Sequence, residues 1–175
     1  MEVAKVPLVL LSLISYVVAL IILVNLVYAS DNTIAIQTKG SSTAISIDQS
    51  GTSNTTTVWC GLSGGTYATH SCSNATMTID QHGTSNTARA YSQLTNHNDN
   101  VYTINQNGNS NNGYIDLDDD DNVASITQTG NSNTGIIYMR GDDNIYTITQ
   151  TGNSFYAKMY AFGDDSAWAI TQSGT

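Results

Sequence analysis

The 175 residues include a single proline, Pro7, two cysteines and only five lysines and arginines, and no glutamate follows Glu2. Each shortage excludes something. Beyond Pro7 no residue forbids continuous backbone pairing in a sheet. Five basic residues against fourteen acidic ones, with a net charge of −9, cannot neutralise a run of phosphates, which excludes nucleic acid as a partner. Only 11% of the residues are charged, and the excess of Asn, Ser, Thr and Gln leaves too little apolar surface for a large conventional core. No Ser or Cys stands beside a patterned His and Asp. The polar residues are periodic, whereas an active site breaks symmetry, so the chain does not read as an enzyme and no cofactor is expected.

Residues 1–29 stand apart. Lys5 precedes an apolar run from Val6 to Tyr28, and "VYA" at 27–29 puts small or aliphatic residues where a signal peptidase reads. The segment reads as a cleaved secretion signal. The run is also long enough to span a bilayer, so an uncleaved anchor is the alternative, and membrane contact is expected only through this segment. Export implies an oxidising compartment, where Cys60 and Cys72, flanking "GLSGGTYATHS", most simply form a disulfide. Two free thiols are the rival reading. Zinc is disfavoured because His70 and His82 lack the paired spacing of such sites.

What the chain has in abundance is one phrase. "ITQTGNS" occurs at 126–132 and 148–154, with relatives at 47–53, 79–85, 104–110 and 170–175. The glutamines Gln49, Gln81, Gln106, Gln128, Gln150 and Gln172 are separated by 32, 25, 22, 22 and 22 residues. Twenty-two is the period, and the longer intervals read as surface insertions, the first holding the cysteine loop. Two residues before each Gln stands an isoleucine: Ile47, Ile79, Ile104, Ile126, Ile148 and Ile170. Polar residues alternate with it, which predicts a strand with one buried face that ends at the Gln. A glycine two residues after each Gln marks a tight turn.

Past the turn come Asn54, Asn86, Asn111 and Asn133, with Phe155 as the exception, and then a second apolar column of Val58, Ala90, Ile115, Ile137 and Met159. The outward face of this second strand carries Trp59, Tyr91, Tyr138 and Tyr160, broken by Asp116. These aromatics either make lateral contacts or brace the sheet. One such unit cannot bury its own Ile and Gln. Stacked at about 4.7–4.8 Å, equivalent residues lie above one another and side-chain amides bond along the stack. The expected fold is all-β: a β-solenoid, or cross-β stack, of strand-turn-strand repeats with a 22-residue period.

The pattern S/N-x5-Q-x-G-x-x-N resembles the curlin repeat of curli, the extracellular amyloid of bacterial biofilms. Gln and Gly match in six copies, beginning near 43, 75, 100, 122, 144 and 166. The first position is met by Asn100, Asn122, Asn144 and Ser166, but by Thr43 and Ala75 in the first two copies. Two features depart from the family. Cys60, Ser92, Leu117, Met139 and Ala161 stand where curlin repeats usually carry a second Gln, and the long Gly- and Asn-rich segment that engages a secretion channel is missing. The resemblance implies a secreted subunit of extracellular, cell-surface fibres serving as biofilm matrix or in adhesion, with a nucleator and a secretion channel as partners.

The chain ends after a first strand, and "NTIAIQTKG" at 32–40 is in phase with a second strand. Residues 30–42 thus form an N-terminal half-rung, and 43–175 the repeats, the last a half-rung too. Head-to-tail polymerisation would complete a rung from Asn32, Ile34 and Ile36 of one copy and Trp168, Ile170 and Gln172 of another. The competing reading is a monomeric β-solenoid that binds ligands through a flat threonine face, as ice-binding proteins and adhesins do. A last column holds Asp120 and Asp121, Asp142 and Asp143, and Asp164 and Asp165. It reads as a solvated acidic turn that delays assembly, or as a string of oxygen ligands for calcium.

Overall fold

The computed structural model describes residues 10–11, 21–38, 41–59, 72–91, 97–117 and 119–174. All regular structure among them is β. The strands are β1 (Leu10–Leu11), β2 (Ile21–Ser30), β3 (Thr33–Ile36), β4 (Ala44–Thr52), β5 (Thr55–Val58), β6 (Cys72–Ser73) and β7 (Thr76–Thr84). They continue with β8 (Thr87–Ala88), β9 (His97–Asn98), β10 (Val101–Asn109), β11 (Val123–Thr129), β12 (Ile145–Thr151) and β13 (Ala167–Ser173). A seven-stranded parallel sheet runs β13-β12-β11-β10-β7-β4-β2, a second runs β1-β3-β5-β8, and β6 pairs with β9. This is a parallel β-solenoid in which each turn lies on the one before.

The register explains the repeated phrase. From β4 to β13 the pairing sets Ile47, Ile79, Ile104, Ile126, Ile148 and Ile170 in one line and the six glutamines in another. Within the inner strands of the large sheet burial alternates, as in β12, where Tyr146, Ile148 and Gln150 are buried and Ile145, Thr147, Thr149 and Thr151 are not. Burying one isoleucine is worth roughly 1.5–3 kcal/mol. A slip of one residue would turn that whole line to solvent, so the isoleucines fix the register.

Two backbone devices close each turn. The residue before each inward corner position, Asn except at Phe155 and Ser166, is left-handed: Ser53, Ser85, Ser110, Ser132 and Ser154 at one corner, and Asp99, Asp121, Asp143 and Asp165 at the other, all with φ between 54° and 60°. Aspartate tolerates this conformation better than most residues, which accounts for one member of each Asp pair. Glycine is required at the other device. Gly130 has φ +114°, and a Cβ there would collide with the carbonyl oxygen of Gly152 one rung on.

Several expectations need correction. The first strands do not end at Gln, since β4, β7 and β10 run to Thr52, Thr84 and Asn109. The second strands are regular only as β3, β5 and β8. Further along they persist as single bridges, Thr87 to Asn112, Asn112 to Thr134 and Thr134 to Tyr156. The inward column beside them is small, with Gly113 and Gly135 pressed against Ile104 and Ile126, and glycine weakens a strand interior. Asp116 does not break the aromatic column either. Tyr114, two residues earlier, fills the gap with its ring 5.4 Å from both Tyr91 and Tyr138, and its hydroxyl donates to Asp116 at 3.0 Å.

At the N-terminal end, the latter part of the expected signal segment pairs as β2 against β4, with Val24 opposite Ile47 and Leu26 opposite Gln49. Among the described residues no helix is long and apolar enough to cross a membrane. Cys72 is disulfide-bonded. Its expected partner Cys60, with His70, Ser92 and the bulk of both insertions, lies outside the described residues.

Candidate functional site: stacking columns and an open edge

The glutamine column is a continuous hydrogen-bonded chain. Each Nε2 donates to the Oε1 of the next rung: Gln49 to Gln81 at 2.7 Å, Gln81 to Gln106 at 2.8 Å, Gln106 to Gln128 at 2.9 Å, Gln128 to Gln150 at 2.9 Å and Gln150 to Gln172 at 2.8 Å. The second hydrogen of Nε2 crosses the solenoid to a second-strand carbonyl from Gln81 onward, as from Gln128 to Asn112 at 3.1 Å, and at Gln49 to the Thr56 hydroxyl at 3.1 Å. Gln49 through Gln150 are fully buried, so every amide hydrogen inside the stack needs a partner, and the repeat provides it.

The asparagines form a second chain. Asn54, Asn86, Asn111 and Asn133 each accept the backbone N–H of the equivalent residue one rung on, at 2.9–3.0 Å. Their Nδ2 atoms donate to the glycine carbonyls of that rung at 2.7–3.0 Å. Asn100, Asn122 and Asn144 repeat the first of these bonds at the opposite corner. That corner chain was not foreseen as a ladder, although Asn recurs there every 22 residues.

The two ends of the stack differ from its interior. At the N-terminal end Gln49 Oε1 and Asn32 Nδ2 are buried and have no hydrogen-bond partner. Asn32 also starts the asparagine chain by accepting from Asn54 N–H at 2.8 Å, and Ile34 and Ile36 stand in register with Thr56 and Val58. At the C-terminal end β13 pairs on one side only. Trp168 is 64% exposed and Ile170 half-buried. Gln172 donates to Tyr156 O at 3.1 Å, which leaves one Nε2 hydrogen with no following glutamine. A cavity of about 330 Å³ opens beside this strand, lined in part by Tyr146, Met159, Ala161, Trp168 and Ile170.

The aspartates line one corner. Asp120, Asp142 and Asp164 accept backbone N–H bonds from Asn98, Asp120 and Asp142 at 2.7–3.1 Å, so each already spends an oxygen on the stack. Desolvation in the crowded turn, and then the charges of Asp143, Asp99, Asp120 and Asp142, raise the Asp121 carboxyl above the usual range. Among the described residues no three His, Cys, Asp or Glu side chains converge as a metal-holding group.

One constellation escaped the sequence. The 32-residue first interval sets Ser50 opposite His82 and Asp48 opposite Asp80. The Ser50 hydroxyl contacts His82 Nδ1, and His82 Nε2 lies 2.7 Å from Asp80 Oδ1. That oxygen makes no hydrogen bond of acceptable geometry. Asp80 is raised by burial, lowered by His82 and raised again by Asp48. The group lies on the sheet's outer face, whose strands are paired on both sides.

Compared with family models, residues 120–152 match the Curlin associated repeat. No curated protein and no solved structure matches the chain. The matched span holds Gln128, Gly130, Asn133, Gln150 and Gly152, and the pairing carries those same columns in register from Gln49 to Gln172. At residues 120–152 the chain is thus similar to the Curlin associated repeat.

Proposed function

We propose that the chain is a secreted structural subunit that self-assembles head to tail into extracellular, curli-type amyloid fibres, serving as biofilm matrix or in adhesion. The observation that carries this reading is the complementarity of the two ends. Gln49 Oε1 is a buried acceptor without a donor, and Gln172 Nε2 has a hydrogen without an acceptor in its column. Joining them extends the glutamine chain by one more bond of the kind already repeated five times. Ile34 and Ile36 of the incoming copy would then continue the columns of Ala157 and Met159 and cover the cavity beside Trp168. Asn54 Nδ2 donates to Ser50 O four residues back. The same step from the unpartnered Asn32 Nδ2 reaches Ser173 of the preceding copy.

In the full chain β2 covers the edge of β4 with Leu26 opposite Gln49, and leucine has no amide to offer. Removal of residues 1–29 would free that edge. Calcium on the Asp corner is a secondary proposal. It requires millimolar calcium to speed assembly beyond sodium at matched ionic strength.

The test is to incubate purified residues 30–175 without reductant and examine the product by electron microscopy and fibre diffraction. Unbranched fibres with an axial reflection near 4.7–4.8 Å support the proposal. A folded, persistent monomer would refute it. Attention would then move to the outward threonines Thr127, Thr149 and Thr171, which the register sets in one line.

A further inference from the structure

We infer that the joint between successive copies is the weakest step in the fibre, and that Phe155 and Ser166 make it so. This rests on the head-to-tail reading. Inside the solenoid each step between late rungs is held by asparagines at both corners. From the Gln128 rung to the Gln150 rung, Asn122 Oδ1 accepts Asn144 N–H at 3.0 Å and Asn133 Oδ1 accepts Phe155 N–H at 3.0 Å. Asn122 Nδ2 donates to Gly141 O and Asn133 Nδ2 to Gly152 O, both at 2.8 Å. Every one of these bonds points forward, from an asparagine to the rung after it.

At the joint these positions are held by Phe155 and Ser166; the glycine carbonyl one rung on from position 155 is that of Gly174 in the same chain, so only an acceptor bond from that position would enter the next copy. Phe155 has no amide. Its ring lies over Gly152 and Gly174, filling the place an amide would use. Ser166 turns its hydroxyl back to Asp164 O at 3.3 Å, within its own turn. The N–H groups of Asn32 and Thr43 in the incoming copy therefore meet no asparagine acceptor. The glutamine chain alone runs through the joint, through Gln172. The steps from the Gln106 rung to the Gln128 rung and on to the Gln150 rung each hold four forward asparagine bonds, whereas no forward asparagine bond enters the next copy at the joint. A stretched or sheared fibre accordingly parts between subunits and leaves whole solenoids, each with the same two reactive ends.

The experiment introduces Phe155→Asn and Ser166→Asn, separately, into residues 30–175, the form in which the β4 edge is free, with Phe155→Leu as a control that removes the ring without supplying an amide. Two quantities are read: the soluble protein concentration at equilibrium with fibres, and fibre length after a fixed shear. At about 1 kcal/mol for the one hydrogen bond gained across the joint, Phe155→Asn is expected to lower the soluble concentration roughly fivefold and to lengthen the sheared fibres. Ser166→Asn should act in the same direction through the other corner, and Phe155→Leu should do neither. If the parent forms fibres and neither asparagine variant changes these values, the inference is overturned while the fibre reading stands. If the parent forms no fibres, both fall.

Discussion

Gln128 Nε2 lies 2.9 Å from Gln150 Oε1, and both side chains are fully buried. Gln106 donates to Gln128 in turn, so replacing Gln128 strands a donor on one side and an acceptor on the other. A buried polar group left unpaired costs about 1–3 kcal/mol. Gln128→Leu is expected to lower unfolding free energy by roughly 2–4 kcal/mol, even though leucine is the more apolar residue. Gln172→Leu, at the open edge, should cost less. Guanidinium unfolding of both variants checks the ranking, and an equal loss would mean the chain of amides is not cooperative across rungs.

Two glycines separate conformational strain from lack of room. Gly130 and Gly163 both have positive φ, +114° and +139°, but a Cβ at Gly130 meets the Gly152 carbonyl whereas one at Gly163 meets nothing within 4 Å. Gly163→Ala should cost only the strain, about 1–3 kcal/mol. Gly130→Ala must also move the next rung's backbone and should be clearly worse, with loss of cooperative unfolding the extreme case. Comparable losses would show that the stack yields locally.

The period, the isoleucine line and the glutamine line were legible because stacking demands the same residue type at a fixed spacing, and a column of identical residues is visible without coordinates. What was hidden depended on reach and direction. Asp116 occupies the aromatic column, but Tyr114 sends its ring across from the neighbouring outward position, which column reading does not capture. Ser50 and His82 share a column but belong to rungs with an insertion between them, so no short spacing betrays the pair. The small inward set Thr56, Ala88, Gly113, Gly135 and Ala157 was open to view as a column of small residues. Its reason, contact with the isoleucine methyls facing it, needed the opposite strand. The forward direction of the asparagine bonds between rungs at the two corners needed the rungs in place.

The Asp121 carboxyl is raised in the folded state by desolvation and by its aspartate neighbours. A raised carboxyl binds its proton more tightly folded than unfolded, so stability falls as pH rises through the folded value and is recovered below the unfolded one, about 3.9. Folded stability and assembly rate should both rise as pH is lowered from 7 towards 4. Net charge also falls towards the pI of about 4.2, so the specific effect needs a charge-matched control. Asp121→Asn should raise stability at pH 7 and flatten the pH dependence more than Asp31→Asn, which removes the same charge at the other corner. Identical profiles would assign the effect to net charge alone.

The aromatic column makes the last separation, between ring packing and a single hydrogen bond. Tyr114 stands edge-on to Tyr91 and Tyr138 with centroids 5.4 Å away on either side, and each such pair is worth about 0.5–1.5 kcal/mol beyond area burial. Burial, followed by the charge of Asp116, pushes the Tyr114 phenol upward, so it remains a donor at any ordinary pH. Asp116 is raised by burial and pulled back by the Tyr114 hydroxyl and by Arg140. Tyr114→Phe keeps both rings and strands the carboxylate. Its deficit should be largest near pH 8 and shrink towards pH 4, because a protonated Asp116 has less need of the donor. Tyr114→Ala loses the rings as well, and its larger deficit should persist in acid. Chemical unfolding of the two variants at both pH values distinguishes the contributions, and a phenylalanine deficit independent of pH would mean that the Tyr114 hydroxyl does not hold the Asp116 charge.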